Sequence, residues 1–357
     1  MRKFFSVALI FNLIISAAGG SSAQSTGQKS APNSTAGASR TSAPSSAAKD
    51  ELVAMLPASD LVAVVDAGRA FNELLPNLAG LSIAGVDKLA KSIQDFTMKT
   101  GVDPSKIQSA VLGVRMEGSQ GIPVIVIQGI DPDPKQIEAA MKEFGSESKT
   151  SDYNGKTIYN VASKVKPPSA GSFSLKTDDV ALAALGRQRV ALGDLKAVKQ
   201  VIDIQTGAAK GGVSATMIGA LKETRASALL RFALNIPETL RAEAANQGDL
   251  FKSVAAIKII LGTFDVGRDL SLSLDSIIRT ATQNDATELE NGLKGLVGLG
   301  KDIFAGGGDP RTNLYAQLLD QVRIGSKTTD VSLSITLSRE IIEQLTKKEA
   351  PASAEKK

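Results

Sequence analysis

Apolar positions along the chain fall into three rhythms. Unbroken runs such as Leu61-Val62-Ala63-Val64-Val65 and Ile122 to Ile127 predict strands buried on both faces. Recurrence at three and four residues, in Val86, Leu89, Ala90, Ile93 and Phe96, predicts an amphipathic helix closed by Gly101. A second helix carries Ile137, Met141 and Phe144, with Asp133 as N-cap, Pro134 in its first turn and Gly145 as its stop. Strict alternation, Val-Ser-Leu-Ser-Ile-Thr-Leu over Val331 to Leu337, predicts a half-exposed strand.

The remaining elements follow from turn chemistry. Ala110 to Val114 is a strand joined to Ile122 by Glu117-Gly118-Ser119-Gln120-Gly121, and Tyr153-Asn154-Gly155-Lys156 is a hairpin leading into Thr157 to Val161. Val180 to Leu185 and Arg189 to Leu192 form a further hairpin, after which Asp194 caps a helix with Leu195, Val198, Val201 and Ile202 that ends at Gly207. The last block reads as a strand at Ala228 to Leu234, a helix from Pro237 to about Ala256, and strands at Ile257 to Phe264 and Leu270 to Ile278. A long helix from Asp285 to Ile303 follows, with Asp285 and Glu288 as its capping box, then a helix carrying Tyr315, Leu318, Leu319 and Val322.

Strand, helix, strand, strand, helix, strand is the order of a ferredoxin-like, split βαβ unit, and the last block repeats it in outline. Gly113 to Asp131 and Gly262 to Thr280 both span 18 residues. The expected fold is therefore α+β, with two ferredoxin-like halves, 51–165 and 222–346, joined by a central hairpin-helix insert at 166–221.

The ends are of a different kind. Arg2 and Lys3, an apolar stretch from Phe4 to Ala18, and Ser21-Ser22-Ala23 make residues 1–23 a secretory signal cut before Gln24. That stretch is too short to cross a bilayer, so no transmembrane span is expected after signal removal. Residues 24–50, dominated by Ser, Thr, Ala, Gly and Pro, read as a disordered tether, and 347–357 as a disordered tail.

Composition then removes whole chemistries. With no Cys and no His there is no disulfide, thiolate nucleophile, imidazole base or thiolate zinc site. The formal charge of +4 drops to +2 with Arg2 and Lys3 gone, and the 41 basic residues are scattered rather than clustered. Nucleic acid is accordingly not an expected partner.

Each near-motif has a plainer reading. Gly295-Leu296-Val297-Gly298-Leu299-Gly300-Lys301-Asp302 resembles a phosphate loop, but Asp302 replaces the magnesium-binding hydroxyl and the segment lies inside a helical pattern, so no nucleotide is expected. Gly306-Gly307-Gly308-Asp309-Pro310 reads as a connector, and Asp131-Pro132-Asp133 as helix-start carboxylates rather than a metal site. Ser146-Glu147-Ser148-Lys149 has the spacing of a Ser-Lys pair in a polar loop, and Asp66-Ala67-Gly68 reads as a strand end. No catalytic, cofactor-binding or metal-ligating residue is assigned, and no cofactor is expected.

Leu56-Pro57-Ala58, Gly121-Ile122-Pro123-Val124, Tyr153 to Tyr159, and Val190-Ala191-Leu192-Gly193-Asp194 leading into Val201-Ile202-Asp203 together resemble a family of exported bacterial proteins of unknown function, over residues 56 to about 340. The resemblance implies extracytoplasmic placement, periplasmic or secreted, and a duplicated α+β fold. The expected function is a non-enzymatic module binding an unknown protein or cell-envelope partner. The alternative is an extracytoplasmic hydrolase built on carboxylates or a Ser-Lys pair.

Overall fold

The computed structural model describes residues 46–346 except 80–85, 146, 163–168, 171–172, 177, 247–254 and 306–309. The expected signal and C-terminal tail lie outside the described residues, as does the expected tether up to residue 45.

One antiparallel sheet organises the molecule. Its strands are β1 (Leu61–Val65), β2 (Ser109–Glu117), β3 (Gln120–Gln128), β4 (Lys149–Tyr153), β5 (Lys156–Ala162), β6 (Ser169–Ala170), β7 (Phe173–Leu175), β8 (Asp179–Gly186), β9 (Arg189–Asp194), β10 (Leu230–Asn235), β11 (Ile257–Val266), β12 (Leu272–Thr280), β13 (Arg323–Lys327) and β14 (Asp330–Leu337). The order across the sheet is β13-β14-β12-β11-β10-β1-β2-β3-β9-β8-β5-β4, with β7 lying parallel to the start of β3 and carrying β6. The helices are α1 (Ser46–Ala54), α2 (Val86–Thr100), α3 (Pro134–Phe144), α4 (Leu195–Thr206), α5 (Ala215–Glu223), α6 (Glu238–Ala245), α7 (Gln283–Ala305), α8 (Pro310–Asp320) and α9 (Arg339–Thr346). A continuous helical segment with a π turn at Ala70–Leu74 follows β1.

Because side chains alternate across a strand, each apolar run feeds two cores. Val62, Val64, Val111, Val124, Val126, Ala191 and Ala233 point to one face, where Leu52, Val53 and Leu56 at α1, Val198 and Ile202 of α4 and Met217 of α5 cover them. Ala63, Leu112, Ile125 and Ile127 point to the other. There, Ile137 and Met141 of α3 pack on Val161, Leu182, Val190 and Leu192, and Leu289 of α7 packs near Val331. Helices on both faces explain why the central strands read as unbroken apolar runs. β14, toward one edge, keeps only Val331 buried and alternates instead.

Local signals are realised as expected at several points. Asn154 and Gly155 take φ 46° and 73°, the left-handed pair of a tight hairpin. Asp133 and Gln136 close a capping box, Asp194 accepts from the amides of Lys196 and Ala197, and Gly207 ends α4 at φ 80°.

Other expectations are corrected. The split βαβ unit fails in the first half because β1 ends at Val65 opposite Ala110, the start of β2. The long connection thus returns to the end of the sheet it left, making β1 and β2 antiparallel neighbours in a meander rather than parallel strands around an inserted third. The expected insert is no bridge between separate halves: β9 pairs with β3, and β8 with β5, so the hairpin lies within the first half's sheet. β1 pairs directly with β10, carrying the sheet through without a break. Residues 46–50, expected in the tether, form most of the first two turns of α1. The cap of α7 is Thr282, whose hydroxyl accepts from the Asp285 amide while the Asp285 carboxylate accepts from the Thr282 amide, three residues before the expected box. Of the helix expected from Pro237 to Ala256, α6 ends at Ala245 and 247–254 lie outside the described residues.

Candidate functional site

The carboxylates and cations mostly serve architecture. Three successive residues of α1 each reach a different place. Lys49 Nζ lies 2.7 Å from Asp66 Oδ2, Asp50 Oδ1 lies 3.2 Å from Arg231 Nη2, and Glu51 Oε1 lies 2.9 Å from Arg189 Nη1. Lys49, Asp66 and Arg231 are all buried. Asp66 is also the N-cap of the segment behind β1, accepting the Arg69 amide at 3.0 Å. The guanidinium beside Glu51 holds its carboxyl below the usual range.

At two places where carboxylates converge, an arginine joins them. Arg279 binds Asp330 at 2.8 Å and Glu223 at 3.0 Å, and these two anions hold it firmly protonated. Arg225 reaches Asp265 at 3.3 Å and Asp275 at 3.7 Å, and Arg69 also binds Asp265.

The near-motifs disperse in the same way. Asp131 and Asp133 are both exposed, and Asp133 is occupied as a cap. Lys149 is an exposed residue of β4, while Ser146 lies outside the described residues. Asp66 is committed to Lys49 and its cap. Gly295 to Asp302 lies deep within α7, where helical hydrogen bonding occupies the amides a phosphate would need; residues 306–309 of the glycine connector lie outside the described residues. Among the described residues, no three carboxylates gather as a cation site would require.

The concave feature is of another chemistry. Between α2, α3 and the sheet lies a cleft of about 60 Å³. Phe96 supplies one wall from α2, and Val102, Pro104 and Ile107 line it from the link to β2. Ile137, Ala140 and Phe144 of α3 form the facing wall, Ile130 and Pro132 lie between, and Ile127, Leu182, Val190 and Leu192 make the sheet floor. Every lining side chain is apolar. The walls exist because α2 and α3 are both amphipathic and pack against each other, α3 also lying on β5 and β8, and the two are joined by two bonds. Gln136 Nε2 donates to Gly101 O at 2.8 Å, and Lys99 Nζ lies 3.2 Å from Glu143 Oε2.

Sequence reasoning assigned Phe96, Ile137 and Phe144 to core faces and did not foresee a cleft. The amphipathic pattern marks an apolar surface, and nothing in it says whether two such surfaces close completely. A second apolar feature is convex: Leu296, Leu299 and Ile303, at three- and four-residue spacing on α7, are more than half exposed.

No family model matches the chain, and no curated protein matches it. Among solved structures the chain is similar to three crystal forms of TP0453: form I at TM-score 0.41 and 8% identity, covering 82% of this chain and 95% of that one. Form III matches at 0.44 and 7%, covering 82% and 96%, and form IV at 0.44 and 9%, covering 83% and 94%.

Proposed function

We propose that the protein is an exported, non-enzymatic interaction module that holds a protein or cell-envelope partner by an apolar group inserted into the cleft between α2 and α3. The observation that carries this reading is the lining itself: a concavity walled only by apolar side chains can bind, but offers no group to move a proton or attack a bond. The commitment of converging carboxylates to arginines supports the same side. Export rests on the charged start, short apolar stretch and small residues before Gln24.

We also read the two halves as copies of one ancestral unit. Moving outward from the β1–β10 pair, β2 answers β11, β3 answers β12, and the β9–β8 hairpin answers β14–β13, which supports duplication with β4 and β5 as an added hairpin.

Two measurements test the functional reading. N-terminal sequencing of protein recovered outside the cytoplasm should begin at Gln24, whereas an intact Met1 in the cytosol overturns export. Methyl NMR of the mature protein titrated with a cell-envelope extract should shift Ile127, Ile137 and Val190, and Ala140→Phe should abolish the shifts; unmoved cleft methyls overturn the binding role.

A further inference from the structure

The chain contains two Asn-Gly pairs, Asn154-Gly155 and Asn291-Gly292, and the fold treats them in opposite ways. An asparagine followed by glycine is the pair most open to loss of its side-chain amide, because no Cβ shields the next backbone nitrogen. Asn291 and Gly292 lie inside α7, where the Gly292 amide is committed to the carbonyl four residues back. Asn154 and Gly155 are the exposed central residues of the turn between β4 and β5, and a Cβ at Gly155 would meet nothing within 4 Å. The Gly155 amide has no acceptor among the described residues.

What restrains Asn154 is a contact of its own side chain. Asn154 Nδ2 donates to Asp203 Oδ1 of α4 at 2.7 Å, and the neighbouring Tyr153 hydroxyl donates to Asp203 Oδ2 at 3.0 Å. One carboxylate thus ties the hairpin tip to α4 through both its oxygens, with Lys199 Nζ 5.1 Å from the centre of the Tyr153 ring. The second strand of the hairpin is held separately, by Lys156 Nζ on Leu185 O at 2.8 Å and by the pairing of β5 with β8.

We propose that Asn154 is a site of spontaneous deamidation, restrained by Asp203, whose product releases the hairpin tip from α4. The side chain turns out of its bond to Asp203 and the Gly155 nitrogen attacks Asn154 Cγ. The N–Cγ bond forms, the Cγ–Nδ2 bond breaks, and the Gly155 amide proton leaves with Nδ2 as ammonia. Water then opens the cyclic imide at either carbonyl, giving aspartate or isoaspartate; water is consumed, ammonia is released, and nothing is oxidised or reduced. The product replaces a donor 2.7 Å from Asp203 Oδ1 with a second carboxylate, and anions so placed repel. The isoaspartate form also lengthens the backbone of a turn whose length sets the hairpin register.

Peptide mapping by mass spectrometry of the full protein, aged folded in mildly alkaline buffer, tests this. The peptide bearing Asn154 should gain the mass of amide-to-acid conversion while the one bearing Asn291 stays unchanged. Asp203→Ala should speed the conversion about fivefold or more, as loss of a hydrogen bond to a charged group requires. Tyr153→Phe removes the other tie but leaves Asn154 held, so it should convert at the wild-type rate. In Asn154→Asp, backbone amides of β4 should exchange with solvent faster than in the wild type while those of β8 do not. An Asn154 that stays intact in the folded protein while the urea-unfolded chain converts there would overturn the site, as would conversion of Asn291 at an equal rate. Tyr153→Phe accelerating as much as Asp203→Ala would overturn the restraint, and unchanged exchange in Asn154→Asp would overturn the release.

Discussion

Lys49→Met puts the architecture of α1 to a quantitative test. Lys49 lies in a Ser/Ala-rich stretch, and in a solvated tether its replacement would cost nothing measurable. In the structure its ammonium is buried 2.7 Å from Asp66 Oδ2, with the two side chains 5% and 9% exposed. Removing one partner strands the other as a buried, unpaired charge, which typically costs about 3–5 kcal/mol. Asp66 keeps the Arg69 amide at 3.0 Å, so the lower end applies, about 3 kcal/mol. Replacing both partners removes the stranded charge: Lys49→Met/Asp66→Asn retains a side-chain oxygen for the cap and should recover all but about 1 kcal/mol of the loss. With no Trp in the chain, urea unfolding is best followed by far-UV circular dichroism. The single variant should move the midpoint down by about 1 M urea with an unchanged slope, and the double variant should return most of it. A single-variant loss under about 1 kcal/mol, with no recovery in the double, would mean that Lys49 is hydrated and that α1 is not anchored as described.

Three further outcomes are expected. Gly129 sits at φ 113°, with Lys106 O 2.3 Å from where a Cβ would stand, so Gly129→Ala should lower stability by about 3 kcal/mol in the same urea assay. Tyr153 donates its hydroxyl to Asp203 Oδ2 at 3.0 Å, and that bond raises its pKa above the ordinary 10, so the stabilisation is present at neutral pH and lost as pH rises through the folded-state value. Ultraviolet titration of Asp203→Asn should therefore show one tyrosine ionising at lower pH than in the wild type, and an unchanged curve would count against the bond. Thermal unfolding should be the same in calcium and in chelator, since apolar burial on both sheet faces carries the fold; a shift of several degrees would contradict this.

Features written in adjacent residues were legible from the sequence. Asn154-Gly155, Asp133-Pro134, Asp194 and Gly207 each satisfy a local geometric demand that few other residues meet, so they mark their turns and caps wherever they occur. Two neighbouring candidates blurred the cap of α7, because Thr282 and Asp285 both precede a residue three positions on that can answer them. α1 was hidden by Lys49, which reads as solvated until Asp66 is known to face it. Strand order was hidden for a related reason: apolar runs show that β1, β2 and β10 are buried, but any of them could pair with any other, and only the re-entry point of the long connection decides. The cleft is a property of how closely two faces meet, a matter of cubic ångströms that residue spacing does not encode.

The pairing of β1 with β10 bears on how the chain reaches its native state. Leu61 must find Leu234 across most of the folded sequence, so the central seam closes only after nearly everything between has been synthesised. Until then one edge of the apolar strand Leu61–Val65 has no native neighbour, and a short, uncharged, proline-free strand of that kind readily pairs with other chains. Loop-closure entropy further delays so distant a contact. The strand at the middle of the finished sheet is thus the one whose second neighbour arrives late, and the interval before it arrives is when a holding chaperone would have most effect.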